Sequence, residues 1–327
     1  MSLLTSNFME PIKAGMAATD RILREQLFVD QSDAVVKLME HIGQYSGKRL
    51  RPALVHLCGG LVGTRDSEEL ASIGAMLEGL HMATLLHDDV LDGADVRRKV
   101  PTLNALYGNE VPILLGDIIY ARTFDHSLKL PTLVAANELS RMTQDVCRGE
   151  IDQSFFKFEG RPDEARYLRV IRGKTGAMFR TACYLGVHYG GGTETEADTM
   201  ATFGLDAGAA FQIIDDCLDV VGDERVAGKS LGTDLETGKV TLPIIRLARD
   251  LDDRGLERLR HLLVDPVDGS RRDLLRSEFD LDAAVRECHQ EADRFLHGCL
   301  ELLEVFEPGP ERQSLADICT FVLERSY

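Results

Sequence analysis

The sequence predicts an all-α protein, and three observations carry that prediction. No alternating β-branched run is bounded by hairpin turns, so strand signals are nearly absent. Two long apolar runs, Ala71 to Leu86 and Phe203 to Ile214, read as helices. Prolines fall near the starts of several segments and glycines near their ends, as helix punctuation does.

In chain order, residues 1–46 read as two helices, Phe8 to Phe28 and a second capped by Ser32-Asp33. The basic turn Gly47-Lys48-Arg49-Leu50-Arg51-Pro52 opens a helix over Pro52–Val62 that stops at Gly63. Asp66-Ser67 starts a long helix, which runs through Asp92. Gly93 to Tyr107 reads as a polar loop carrying Arg97 and Arg98. Helices follow over Pro112–Leu128 and Pro131–Phe158. A loop at Glu159–Pro162 leads to a helix over Asp163–Val187, kinked at Gly173-Lys174-Thr175-Gly176, where paired glycines weaken it. The turn Gly190-Gly191-Gly192 precedes a helix over Glu194–Val221. Gly222 to Val240 is a charged, glycine-rich loop with Lys229 and Lys239, and Thr241 to Tyr327 holds four or five shorter amphipathic helices. No low-complexity segment or linker divides the chain, so one large domain over 1–327 is expected.

Composition narrows the function. Hydrophobic residues make up 44% of 327, enough for a sizeable core. The net charge of −17 leaves no basic surplus for nucleic-acid phosphates. Seven cysteines occur with no CxxC or other zinc-ligand spacing, which fits buried thiols in a reduced, cytoplasmic protein. Residues 1–13 lack a signal-peptide layout, and no apolar run is long enough to span a bilayer. An integral membrane protein is therefore not expected, although a lipophilic ligand is compatible.

The chemistry gathers on His87-Asp88-Asp89-Val90-Leu91-Asp92. Asp88 and Asp92 stand four apart on one helix face, and Asp89 lies three before Asp92. Like charges at that spacing destabilise a helix unless something neutralises them, and hard oxygen ligands suit a divalent cation such as magnesium. A solvated acidic helix end explains one such cluster equally well. The same spacing in Asp215-Asp216-Cys217-Leu218-Asp219, after a second apolar run, favours a metal. Two clusters facing one cavity would hold a diphosphate through bridging ions.

Lys48 and Arg51 flank a helix opening, where unpaired backbone N–H groups favour an anion. Arg97 and Arg98 follow Asp92 closely, and guanidinium forks suit diphosphate oxygens. His87 is placed to orient a carboxylate, and His81 lies two turns back, nearly in line with Asp88. Lys174 sits at the kink, where freed backbone carbonyls can stabilise a cation. One metal-bridged and one direct diphosphate site, with apolar walls between, suit two substrates with phosphate heads and hydrocarbon tails.

In this order these stretches resemble the trans-type polyprenyl diphosphate synthases over almost the whole length. The matching segments are Gly47 to Pro52; His81 to Asp92; Arg97-Arg98; Gly116-Asp117; Gly149-Glu150-Ile151-Asp152-Gln153; Lys174-Thr175-Gly176; Phe211 to Asp216; and Gly232 to Leu235 through Gly238 to Pro243. The resemblance implies helices around a deep central cavity, a homodimer, and three magnesium ions per site. It implies that an allylic diphosphate ionises and that the double bond of isopentenyl diphosphate attacks the resulting cation, after which a proton is lost. Asp88, Asp89, Asp92, Asp215, Asp216 and Asp219 then form the metal set. Lys48, Arg51, His81 and Arg98 hold isopentenyl diphosphate. Arg97 contacts the allylic diphosphate, Lys174, Thr175 and Gln212 line the reaction centre, and Lys229 and Lys239 close over the leaving group. Two departures stand out: Gly93 replaces a frequent acidic residue, and Lys99-Val100-Pro101-Thr102 replaces the usual Gly-x-Pro-Thr.

The growing tail would run beside the helix before Asp88, where one turn of about 5.4 Å matches about one isoprene unit. Ala83 and Thr84 are small where short-chain members carry a bulky aromatic; Leu80, Leu77, Phe155 or Phe156 would then stop the tail farther on. A heptaprenyl-to-nonaprenyl product is expected, against a shorter farnesyl or geranylgeranyl product. Intact acidic motifs argue against a non-catalytic subunit of a heteromeric synthase, and the basic residues argue against a terpene cyclase or head-to-head condensing enzyme.

Overall fold

The computed structural model describes residues 7–45, 47–156, 158, 161–222 and 232–324. The described residues are all-α apart from one two-stranded hairpin. The helices are α1 Lys13–Ile22, α2 Asp33–Gly43, α3 Leu50–Leu61, α4 Glu68–Leu91, α5 Leu103–Tyr107, α6 Glu110–Ser127, α7 Val134–Ser154, α8 Glu164–Ile171, α9 Ala177–Tyr189 and α10 Glu194–Val221. After the undescribed 223–231 come α11 Thr233–Glu236, α12 Leu242–Asp250, α13 Asp253–Val264, α14 Arg271–Glu278, α15 Asp282–Leu303 and α16 Pro310–Leu323.

The chain divides into two compact units. The first comprises Met1–Arg141, Met178–Gly204 and Leu303–Asp317; the second comprises Met142–Ala177, Leu205–Leu302 and Ile318–Tyr327.

In the first unit α4 is the hub, packed on α1, α3 and α6. Ser67 caps it by accepting from Leu70 N, and Glu68 and Glu69 complement the helix dipole in its first turn. Most of its side chains from Leu70 to Leu86 are buried, which explains why its sequence is apolar nearly all round. In the second unit Arg246 of α12 ties two other helices together, pairing with Glu164 of α8 and with Glu287 and Glu291 of α15. Arg161 closes the end of α12 by donating to the carbonyls of Ala248, Arg249 and Leu251.

Two stretches differ from the sequence expectation. The polar loop over Gly93 to Tyr107 contains α5 and the hairpin β1 Val96–Arg97 and β2 Val100–Pro101, paired Arg97 to Val100. Its turn residues, Arg98 at φ 50° and Lys99 at φ 67°, are both left-handed, as a two-residue hairpin turn requires. No Gly, Asn or Asp announces that turn in the sequence. With a side chain at φ 67°, the Lys99 backbone is strained. Lys99→Gly should stabilise the protein by about 1 kcal/mol, read as a higher urea midpoint with an unchanged slope. The expected kink in the helix from Asp163 is a π-helical turn, Arg172–Gly176, between α8 and α9.

No disulfide joins any of the seven cysteines, and all but Cys147 are buried. Among the described residues no helix is long and apolar enough to cross a membrane.

Candidate active site

The first unit assembles a cationic cluster from three elements. The turn before α3 supplies exposed Lys48 and Arg49 at φ 52°, and the first turn of α3 supplies Arg51. The Arg51 guanidinium lies 5.4 Å from the centroid of the Phe179 ring, and its buried Nε has no hydrogen-bond partner. Burial pushes Arg51 down to about 10, against the opposing charge of Glu78. The hairpin supplies Arg97 and Arg98, and Arg98 Nη1 donates to Tyr45 O at 2.5 Å. The hairpin is pinned by Pro101 O, which accepts from His41 Nε2 at 2.8 Å and from Tyr45 Oη at 3.2 Å.

His81 of α4 lies within the field of these arginines. Burial first, then the charges of Arg51, Arg98, Arg97 and Arg49, drive its pKa well below the ordinary histidine value. It is therefore a neutral imidazole, able to donate one N–H without adding charge.

Two buried acids on α4 sort the arginines. Glu78 pairs with Arg49 at 3.1 Å, and Asp89 accepts from Arg97 Nε at 2.7 Å. Asp89 is 1% exposed; burial raises its pKa while Arg97 pulls it back. Its neighbours in the motif differ, since Asp88 is partly exposed and Asp92 exposed. The helix turns about 100° per residue, so adjacent aspartates point to different surroundings.

His87 reaches α6, not its own motif. Its Nε2 lies 3.2 Å from Ile113 O and 3.7 Å from Asp117 Oδ1, and its ring stacks on Tyr120 at 5.9 Å. A Cβ at Gly116 would stand 2.4 Å from that Nε2, which explains the Gly116-Asp117 pair. Gly79 faces the same helix: a Cβ there would meet Thr123 Oγ1 at 3.4 Å and Ile119 Cγ2 at 3.6 Å. Ala83, midway at i, i+4 spacing, thus sits in the α4–α6 seam and is fully buried, as is Leu80. Thr84 is partly exposed and donates to His81 O at 2.8 Å.

The second unit brings the other predicted residues together. A Cβ at Gly149 of α7 would lie 2.7 Å from Lys174 N, so this glycine lets α7 press against the π-helical turn. Glu150 and Gln153 then flank Lys174, which pairs with Glu150 and donates to Gln153 Oε1 at 3.1 Å. Thr175 Oγ1 donates to Gln212 Oε1 at 2.7 Å, and Gln212 Nε2 donates to Asp216 Oδ1 at 2.8 Å. Tyr167 Oη donates to Asp216 Oδ2 at 2.7 Å.

Asp216 is 3% exposed. Burial, then the charge of Asp234, push its pKa up to about 8, while the bonds from Tyr167 and Gln212 pull the other way. Asp219 is equally buried and accepts from Gly232 N at 3.1 Å and Asp234 N at 3.2 Å, fixing the start of α11. Lys239 lies 3.5 Å from Asp234. A cavity of about 60 Å³ opens among Lys174, Thr175, Gln212, Asp216, Asp234 and Lys239, with Gln153. A wider one of about 580 Å³, between Val221 and Arg286, contains none of the motif residues. Asp215 is partly exposed, and Lys229 lies outside the described residues.

Sequence reasoning missed Glu78 and Tyr167. A lone acid on an otherwise apolar helix was a usable sign for Glu78. Tyr167 had none, because its partner lies on a distant helix.

A polyprenyl synthetase family model matches residues 32–271. The heptaprenyl diphosphate synthase component 2 of Geobacillus stearothermophilus is 34% identical, covering 88% of this chain and 88% of that protein. A short chain isoprenyl diphosphate synthase of Methanothermobacter thermautotrophicus is 32% identical, covering 94% and 95%. Among solved structures, a polyprenyl synthase from Caulobacter crescentus complexed with calcium and isoprenyl diphosphate superposes with a TM-score of 0.90 at 27% identity, covering 98% and 97%.

Proposed function

The chain belongs to the polyprenyl synthetase family, and from that premise we propose that it adds isopentenyl diphosphate repeatedly, head to tail, to an allylic diphosphate, making a heptaprenyl-to-nonaprenyl diphosphate. It is a prenyltransferase, a polyprenyl diphosphate synthase among relatives whose products range from short to long. The observation that carries the substrate assignment is the convergence of Arg51, Arg98 and neutral His81 on one cluster in the unit whose α4 ends in Asp88 and Asp92. The length assignment rests on small, buried Ala83 in the α4–α6 seam. The second reading, a short product, is favoured by the short-chain relative.

In this reading Arg51, Arg98, His81 and Lys48 hold the isopentenyl diphosphate, His81 donating a hydrogen bond without adding charge. Arg97, steadied by Asp89, faces the allylic diphosphate. Lys174 and Lys239 add positive charge near the departing group. The oxygens of Thr175 and Gln212 present negative dipole ends to the carbon that becomes positive. Apolar walls exclude water that would quench that cation.

The carboxylates fit a hard cation: Asp88, Asp92 and Asp215 are the more accessible donors, while Asp89, Asp216 and Asp219 accept hydrogen bonds from the protein. Among the described residues no three His, Cys, Asp or Glu side chains by themselves form a metal cluster; Asp88, Asp89, Asp92, Asp215, Asp216 and Asp219 are the residues that would hold the cation. When bound, magnesium, in three ions, would stabilise charge on the departing diphosphate. A homodimer of single-domain chains in the cytoplasm completes the proposal.

The test is to incubate the purified protein with farnesyl diphosphate, labelled isopentenyl diphosphate and magnesium, and to size the products. Heptaprenyl to nonaprenyl products are expected. A product ending at geranylgeranyl would replace the length assignment, and no condensation at all would overturn the function.

A further inference from the structure

The groups lining the small cavity of the second unit form a directed ladder that ends on a residue outside it. Thr175 donates to Gln212 at 2.7 Å, Gln212 donates to Asp216 at 2.8 Å, and Tyr167 donates to Asp216 at 2.7 Å. Tyr167 of α8 is 2% exposed and is not among the cavity's lining residues. A glutamine side chain has two ends of nearly equal shape and opposite polarity, and only its partners decide which way it faces. The Tyr167 hydroxyl holds Asp216 Oδ2 and so orients the carboxyl group, leaving Oδ1 to face the Gln212 NH2. The Gln212 carbonyl is thereby turned toward Thr175.

We propose that Tyr167 is a positioning residue for prenyl transfer: through Asp216 it fixes the direction of the Gln212 amide, so that an oxygen and not an NH2 stands beside Thr175 where the allylic carbon becomes positive. The inference rests on the prenyltransferase reading. A reversed amide would set the positive end of a dipole against the developing cation. Thr175 would lose its acceptor in the same event.

Tyr167→Phe removes only the hydroxyl and keeps the buried ring. At saturating substrates kcat should fall at least about tenfold, while KM for isopentenyl diphosphate stays within about twofold. The melting temperature should drop by no more than about 4 °C. In a Gln212→Ala background the same substitution should cost almost nothing further, the non-additivity expected of a residue that acts through another. Unaltered kcat, or full additivity with Gln212→Ala, overturns the role of Tyr167. So does a large fall in melting temperature with both KM values raised, which marks a structural hydroxyl only. If the unsubstituted protein condenses nothing, the functional reading fails and takes this one with it.

Discussion

Asp88→Ala should lower the condensation rate by about 10³-fold, a loss of about 4 kcal/mol of transition-state stabilisation, while the melting temperature holds or rises. The two halves of that expectation have one cause. Asp88 is partly exposed in the last turn of α4, four residues before Asp92. A carboxylate at a helix C-terminus opposes the helix dipole, and a like charge at i+4 adds repulsion; each effect amounts to a few tenths of a kcal/mol. The fold therefore gains slightly from losing the charge, and chemistry loses a ligand for the cation that steadies the leaving group. Asp89→Ala should behave in the opposite order. Asp89 is 1% exposed and holds Arg97 Nε at 2.7 Å, so its loss leaves a half-buried guanidinium without its carboxylate and lowers the melting temperature first. Melting curves beside initial rates with magnesium separate the two. An Asp88→Ala protein that keeps wild-type activity would remove Asp88 from the catalytic set.

That contrast shows where the sequence was legible. The DDxxD spacing singled out Asp88, Asp89 and Asp92 as candidates, but the burial that separates Asp88 from Asp89 depends on what α4 packs against. Helices with strong period and clear caps were readable: Ser67 starts α4 as expected, and Glu194–Val221 forms α10 over the expected span. The hairpin at Val96–Pro101 was not readable, because its strands are two residues long and its turn lacks the usual turn residues. The motif Gly149 to Gln153 was visible as a resemblance, and only the 2.7 Å approach of Gly149 to Lys174 N gives it a physical reason. His87 was placed with the carboxylates by its position in the chain, yet its side chain docks α4 on α6. Local spacing carried the helices and the titratable clusters. Pairings between distant helices, such as Tyr167 with Asp216, required the fold.

Ala83→Phe should shorten the product to the farnesyl or geranylgeranyl class while the first condensation proceeds at close to its normal rate. Ala83 is fully buried on the α4 face between Gly79 and His87, both of which meet α6. A phenylalanine there must either push the helices apart or fill the space along which the tail advances. Overpacking a closed seam costs about 1–3 kcal/mol and would depress melting temperature and every condensation step alike. Filling the tail's path leaves the diphosphate sites untouched and stops elongation after the tail meets the ring. One turn of α4 spans about 5.4 Å, about one isoprene unit, so a wall one turn behind Asp88 ends growth within the first few additions. Product sizing with farnesyl and geranyl primers, beside a melting curve, separates these outcomes. Shorter products at nearly normal initial rate place the tail against Ala83. Unchanged length at reduced stability would mean that the tail runs elsewhere, and that the small residue at Ala83 serves only the contact of α4 with α6.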